Sequence, residues 1–159
     1  RIFAGWGGMT APAAPTPAEA PHSDLPSVLD HAELRRLFSS LLTQIEEDDP
    51  PATQEAWRTF ENALLAHLDA EEAQLFPEFV ASHPVDATQL LAEHTRLRQR
   101  LEELGLATAL HALRAEDFAQ FLEELQHHAA HEDRVLYPWA ALTLPERKKR
   151  HALLPRTQP

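Results

Sequence analysis

Two segments of the chain carry a histidine and a glutamate four positions apart, His67 with Glu71 and His128 with Glu132. Residues at that spacing share one face of a helix, so each pair offers an imidazole and a carboxylate to the same neighbour. A single histidine precedes each pair. Between His31 and His67 lie 35 residues, and between His94 and His128 lie 33, so the order is doubled along the chain. The doubling extends past the pairs, because His67-Leu-Asp-Ala-Glu-Glu-Ala-Gln-Leu-Phe-Pro77 matches His128-Ala-Ala-His-Glu-Asp-Arg-Val-Leu-Tyr-Pro138 at the His, Glu, acidic, Leu, aromatic and Pro positions.

On a helical wheel His31 and His94 fall inside apolar arcs. His67 and Glu71 lie within the arc of Phe60, Leu64 and Leu75, and His128 and Glu132 within that of Phe121, Leu125, Val135 and Trp139. Two carboxylates therefore face a core whose arcs hold no Arg or Lys. An ionised carboxylate buried without a partner is strongly disfavoured, and metal cations would remove that cost. The chain has no cysteine, which excludes disulfides, iron–sulfur clusters and thiolate zinc sites. Imidazole and carboxylate ligands suit iron, manganese, zinc or copper. The six residues His31, His67, Glu71, His94, His128 and Glu132 are thus read as ligands of two metal ions, with the glutamates between them; spacing alone does not say which histidines share an ion.

The remaining histidines are expected in solvent. His127 lies off the core arc of its helix, His131 lies at the edge of that arc and is the nearest exception, and His22, His83, His111 and His151 fall in an arm, turns or a tail. Glu72 and Asp133 flank the ligands, where a supporting role and a solvated one are equally open. Two competing motifs fail. The Glu-x-x-His of ferritin-like carboxylate proteins occurs on a helix only at Glu124 and His127, on the wrong face. His131-Glu132 begins a zincin-like motif, but Val135 stands where its second histidine belongs.

Four helices with apolar periodicity must position these residues. The first is expected from Ser27, as N-cap, to the acidic run Glu46–Asp49; the second from Thr53 to a kink or end near Pro77; the third from Asp86, as cap, to a stop at Gly105; the fourth from Ala115 or Glu116 to about Pro138. No strand signal is present. Short connections between helices of similar length imply an all-α, up-down-up-down antiparallel four-helix bundle over residues 27–140. Residues 1–26, rich in Ala and Pro, read as a flexible arm, with Met9 as a natural start and residues 1–8 as an added remnant. Residues 141–159 read as a tail in which a short basic helix over 145–153 is the less favoured alternative.

The chain of 159 residues fits one domain, and its net charge of −11 argues against nucleic acid and anionic membranes as partners. No apolar run spans a bilayer, and the composition fits the cytoplasm.

The pattern of a lone His, His-xxx-Glu, a second lone His and a second His-xxx-Glu, with Leu-Phe-Pro and Leu-Tyr-Pro following the pairs, resembles the hemerythrin-like HHE cation-binding family. The resemblance covers about residues 27–140. It implies a non-haem centre of two iron ions with an oxo or hydroxo bridge, the four histidines as terminal ligands and Glu71 and Glu132 as bridges. Oxygen-carrying members have a fifth histidine where this chain has Arg98, so one iron lacks a protein ligand unless water or a residue such as His131 replaces it. Carriers also space the last pair by five, whereas His128 and Glu132 are four apart. The implied function is binding of dioxygen or a related small ligand, nitric oxide or peroxide; the alternatives are a peroxide-consuming diiron enzyme and an iron-handling or sensing protein.

Overall fold

The structure, a computed structural model, describes residues 31–112 and 115–144. These form six helices and no strand: α1 (His31–Glu46), α2 (Pro50–Gln74), α3 (Phe76–Ser82), α4 (Pro84–Ala109), α5 (Ala115–Arg134) and α6 (Leu136–Thr143). The expected Ser27 cap, the N-terminal arm and the helix proposed for 145–153 lie outside the described residues. No helix among them is long and apolar enough to cross a membrane.

Leu34, Phe38 and Leu41 make the buried stripe of α1. The helix ends where Asp48 takes a left-handed φ of 53°. Its amide bonds to the Ile45 carbonyl and that of Asp49 to the Gln44 carbonyl, which satisfies two carbonyls of the last turn. Asp49 then caps the next helix, its side chain accepting from the Ala52 amide at 3.1 Å. Thus α2 starts at Pro50 and not at Thr53: two prolines are tolerated in a first turn, where their missing N–H groups have no intrahelical partner to lose.

The expected break near Pro77 is a one-residue interruption at Leu75, after which α3 restarts with Pro77 in its first turn. Val135 makes the same interruption between α5 and α6. The helix α4 begins at Pro84, with Asp86 inside its first turn instead of at the cap. It also runs through Gly105 to Ala109. The glycine serves packing, since a Cβ there would come within 3.1 Å of Trp57 Nε1. The stop lies at His111, where a φ of 52° and amide bonds from His111 to Thr108 and from Ala112 to Ala107 close the helix.

The helices pack as a bundle in which α1 lies on α2, α2 on α4 and α4 on α5, while α3 packs on α4 and α6. Its core is divided. One apolar cluster gathers Phe38, Trp57, Phe60, Phe118 and Phe121 with leucines of α1, α2, α4 and α5. The other gathers Leu75, Phe76, Phe79, Leu90, Leu136 and Trp139. The polar residues singled out by the sequence lie between these clusters in chain register: His67 and Glu71 follow Phe60 and Leu64 of the first and precede Leu75 of the second.

Candidate metal centre

The bundle brings all six candidate residues together. Glu71, His94 and Glu132 are fully buried, His67 and His128 are 1% exposed, and the His31 side chain is 12% exposed. They form two overlapping groups, His31, His67, Glu71 and Glu132, and Glu71, His94, His128 and Glu132. Within each group the potential ligand atoms lie within 4.8 Å of one another. Ligand atoms about 2.1 Å from a common ion lie about 3 to 4 Å apart, so each group is near the spacing a metal needs. The histidine pairing left open by the sequence is therefore His31 with His67 and His94 with His128.

Both carboxylates are shared in a specific way. Glu132 directs Oε2 to the first pair, 3.1 Å from His31 Nε2 and 3.9 Å from His67 Nε2. Its Oε1 faces the second pair, 3.3 Å from His94 Nε2 and 3.0 Å from His128 Nε2. Glu71 divides in the same sense, with Oε1 3.5 Å from His67 Nε2 and Oε2 3.5 Å from His94 Nε2. Every imidazole turns Nε2 inward.

The outer nitrogens are held unequally. His94 Nδ1 lies 2.8 Å from Glu72 Oε1, which also accepts from Arg98 at 2.7 Å. His128 Nδ1 lies 3.1 Å from Glu93 Oε2. His31 Nδ1 lies 3.4 Å from Asp133, a side chain 58% exposed. Of the flanking acids, Glu72 thus supports a candidate ligand directly.

Three further residues adjoin the candidate ligands, and of these the sequence reading singles out only His131, as the nearest exception among the solvated histidines. Glu93 is 7% exposed, and its second oxygen lies 3.0 Å from His131 Nδ1. His131, expected in solvent, is 4% exposed because this carboxylate holds it against α4; it belongs to neither ligand group. The Tyr137 hydroxyl donates to Glu71 Oε1 and approaches His31 Nε2 at 3.5 Å. Its ring packs edge-on against His31 at 5.3 Å, as Phe76 packs against His94 at 5.4 Å. The doubled Leu-Phe-Pro and Leu-Tyr-Pro motifs carry that correspondence, and the hydroxyl is what breaks it. Arg98 points away from the centre to Asp69, at 2.6 Å, and Glu72. His127 and His111 are exposed as expected, whereas His83 is half-buried and stacks on Phe79.

Without a cation the buried groups set one another's proton affinities. Burial lowers the affinity of His94 for a proton, but the neighbouring Glu132 and Glu71 carboxylates outweigh it and hold the ring at about 10. His128 is likewise penalised by burial and raised by Glu132 and Glu93 to about 9. Burial opposes ionisation of Glu132 too, yet contacts with His128, His31, His67 and His94 hold its carboxyl well below the usual range. Glu71 is pushed up by burial and by the Glu132 charge. A site this dependent on positive charge suits cations. Glu71 Oε2 and His128 Nε2, both buried, make no aligned hydrogen bond, which leaves two ligand atoms of the right chemistry free for an ion.

Residues 28–140 match the family model described as the Hemerythrin HHE cation binding domain. An uncharacterized protein of Mycobacterium bovis is 30% identical over 96 residues, 60% of this chain and 58% of its own length. Uncharacterized proteins from two strains of Mycobacterium tuberculosis match to the same extent. The chain thus spans 58% of the length of the curated relatives it matches. No solved structure matches.

Proposed function

Because the chain belongs to the hemerythrin HHE cation-binding family, whose domain implies metal binding, we propose that it holds two iron ions and binds dioxygen or a related small ligand, nitric oxide or peroxide. His31 and His67 would hold one ion and His94 and His128 the other. Glu71 and Glu132, with an oxo or hydroxo group, would bridge them. The observation that carries this reading is the division of each carboxylate, one oxygen toward each histidine pair.

An iron pair, when bound, would supply reversible redox chemistry. The chain supplies the rest. Phe76 packs its ring against His94, and the Tyr137 hydroxyl fixes Glu71 by donating to Oε1. The bundle is taken as residues 27–140 in up-down-up-down order. Two short turns, after α1 and after α3, and the contact of His31 with Glu132 between α1 and α5 support that order. A cytoplasmic setting, with reductants to recycle iron, is part of the proposal.

Aerobic iron loading tests it: the protein should gain near-ultraviolet bridge-to-iron absorption that changes on adding nitric oxide or peroxide. Iron-loaded protein whose spectrum responds to neither ligand would reject small-ligand binding.

Arg98 favours a second reading, consumption of peroxide. Its guanidinium is committed to Asp69 and Glu72, so the position that supplies a fifth histidine in oxygen carriers supplies no ligand here. Catalytic loss of added peroxide by iron-loaded protein supports this reading, and stoichiometric binding without turnover rejects it.

A further inference from the structure

The two halves of the centre are related by the sequence repeat, but their outer supports differ in kind. Both histidines of the second half have Nδ1 held by a carboxylate, His94 by Glu72 at 2.8 Å and His128 by Glu93 at 3.1 Å. Glu93 is itself anchored, because His131 Nδ1 approaches its other oxygen at 3.0 Å and His131 Nε2 lies 3.8 Å from Asp86. Arg98 anchors Glu72 by donating, at 2.7 Å, to the same oxygen that faces His94. In the first half the Nδ1 of His67 has no hydrogen-bond partner among the described residues. Among the described residues His31 Nδ1 has only the exposed Asp133, at 3.4 Å, a contact that solvent screens.

A carboxylate on the outer nitrogen fixes the tautomer of a ligating imidazole, restrains the ring and makes the inner nitrogen a stronger donor. Restraint matters as much as basicity, since an imidazole already held in place loses less freedom on binding the ion. We propose that the two metal positions are unequal: the His94/His128 position binds its ion more tightly and fills first, with Glu72 and Glu93 as its positioning residues, anchored by Arg98 and His131. The proposal rests on the two-ion reading above. It requires the chain to pass through a one-ion state in which Glu71 and Glu132 each keep one oxygen for the second position.

Anaerobic titration of the metal-free full chain with iron(II), and with cobalt(II) as a spectroscopic probe, tests it. Two steps at least tenfold apart in affinity are expected. Glu93→Gln and Glu72→Gln should each weaken the tighter step by about tenfold to a hundredfold and leave the weaker step unchanged. Glu72 is only half-buried, so its substitution keeps the test available if the Glu93 variant fails to fold. His128→Ala should abolish the tighter step and His67→Ala the weaker one. Asp30, which precedes His31 as Glu93 precedes His94 in the sequence, lies outside the described residues. The Asp30→Asn variant should leave both steps in place, and a tenfold loss in it would overturn the assignment. Two ions bound with a single affinity, or a Glu93→Gln effect confined to the weaker step, would overturn the proposal while leaving the two-ion reading intact. One ion per chain would overturn both.

Discussion

His31 Nε2 lies 3.1 Å from Glu132 Oε2 across 101 positions of chain, and this contact joins α1 to α5 through the middle of the bundle. The same carboxylate turns its other oxygen to His94 and His128. One side chain therefore touches both halves of a doubled sequence.

Substitution of that residue should affect both halves together. In Glu132→Ala the metal content is expected to fall from two ions to less than one per chain, because each position loses a ligand. Metal analysis after dialysis checks this. Retention of both ions would show that Glu132 does not bridge.

Protonation gives a second expectation, for the metal-free protein. His94 is held at about 10 and His128 at about 9, above the ordinary 6.5. A raised value in the folded state contributes stability that is complete below pH 6.5 and lost as pH rises through 9 to 10. Thermal melts with a chelator should therefore show stability falling across that window. With metal bound the imidazoles are already deprotonated, and this part of the decline should disappear. Parallel pH profiles with and without metal would contradict the expectation.

Tyr137 supplies a third. Tyr137→Phe keeps the ring packed on His31 but removes the hydroxyl that donates to Glu71. The loss should destabilise the metal-free fold by about 1–3 kcal/mol, the usual cost of leaving a buried acceptor unpaired. Iron stoichiometry should remain two. Denaturant melts together with metal analysis separate these effects, and loss of an ion would instead make Tyr137 a ligand.

Much of the centre is legible in the sequence because its residues break the pattern around them. Six polar positions at doubled spacing, each inside an apolar arc, point to shared metal ions, and His67 with Glu71 marks one helix face without any tertiary information. Pairing of the histidines is not legible, since it depends on which helices become neighbours. Glu93 escapes notice for a related reason. It directly precedes His94 and so projects about 100° from it on the helix, a direction that is solvent in isolation and becomes interior only when α5 packs alongside. His131 sits at the edge of its arc and is drawn inward by that same carboxylate.

The helix boundaries differ from expectation where one residue type serves two purposes. Gly105 has the look of a stop, but it admits Trp57, and the stop falls to His111 in a left-handed conformation. Pro50 and Pro51 suggest a break and open a helix instead.

Core packing gives a fourth expectation. Phe38 is fully buried and stacks on Phe118 at 5.1 Å. Phe38→Ala should cost about 3–5 kcal/mol. Saturating iron should recover part of that loss, because ligand binding to the folded state alone raises its stability. A variant whose melting temperature does not respond to iron would contradict the coupling of metal to fold.

The central claim is a pair of irons joined by Glu71 and Glu132, and Mössbauer and EPR spectroscopy of the aerobically iron-loaded protein address it most directly. Two irons per chain, ferric by Mössbauer yet silent in EPR because the bridges couple their spins, is the predicted result. One iron per chain, or two that give the EPR signal of isolated ferric ions, would contradict it.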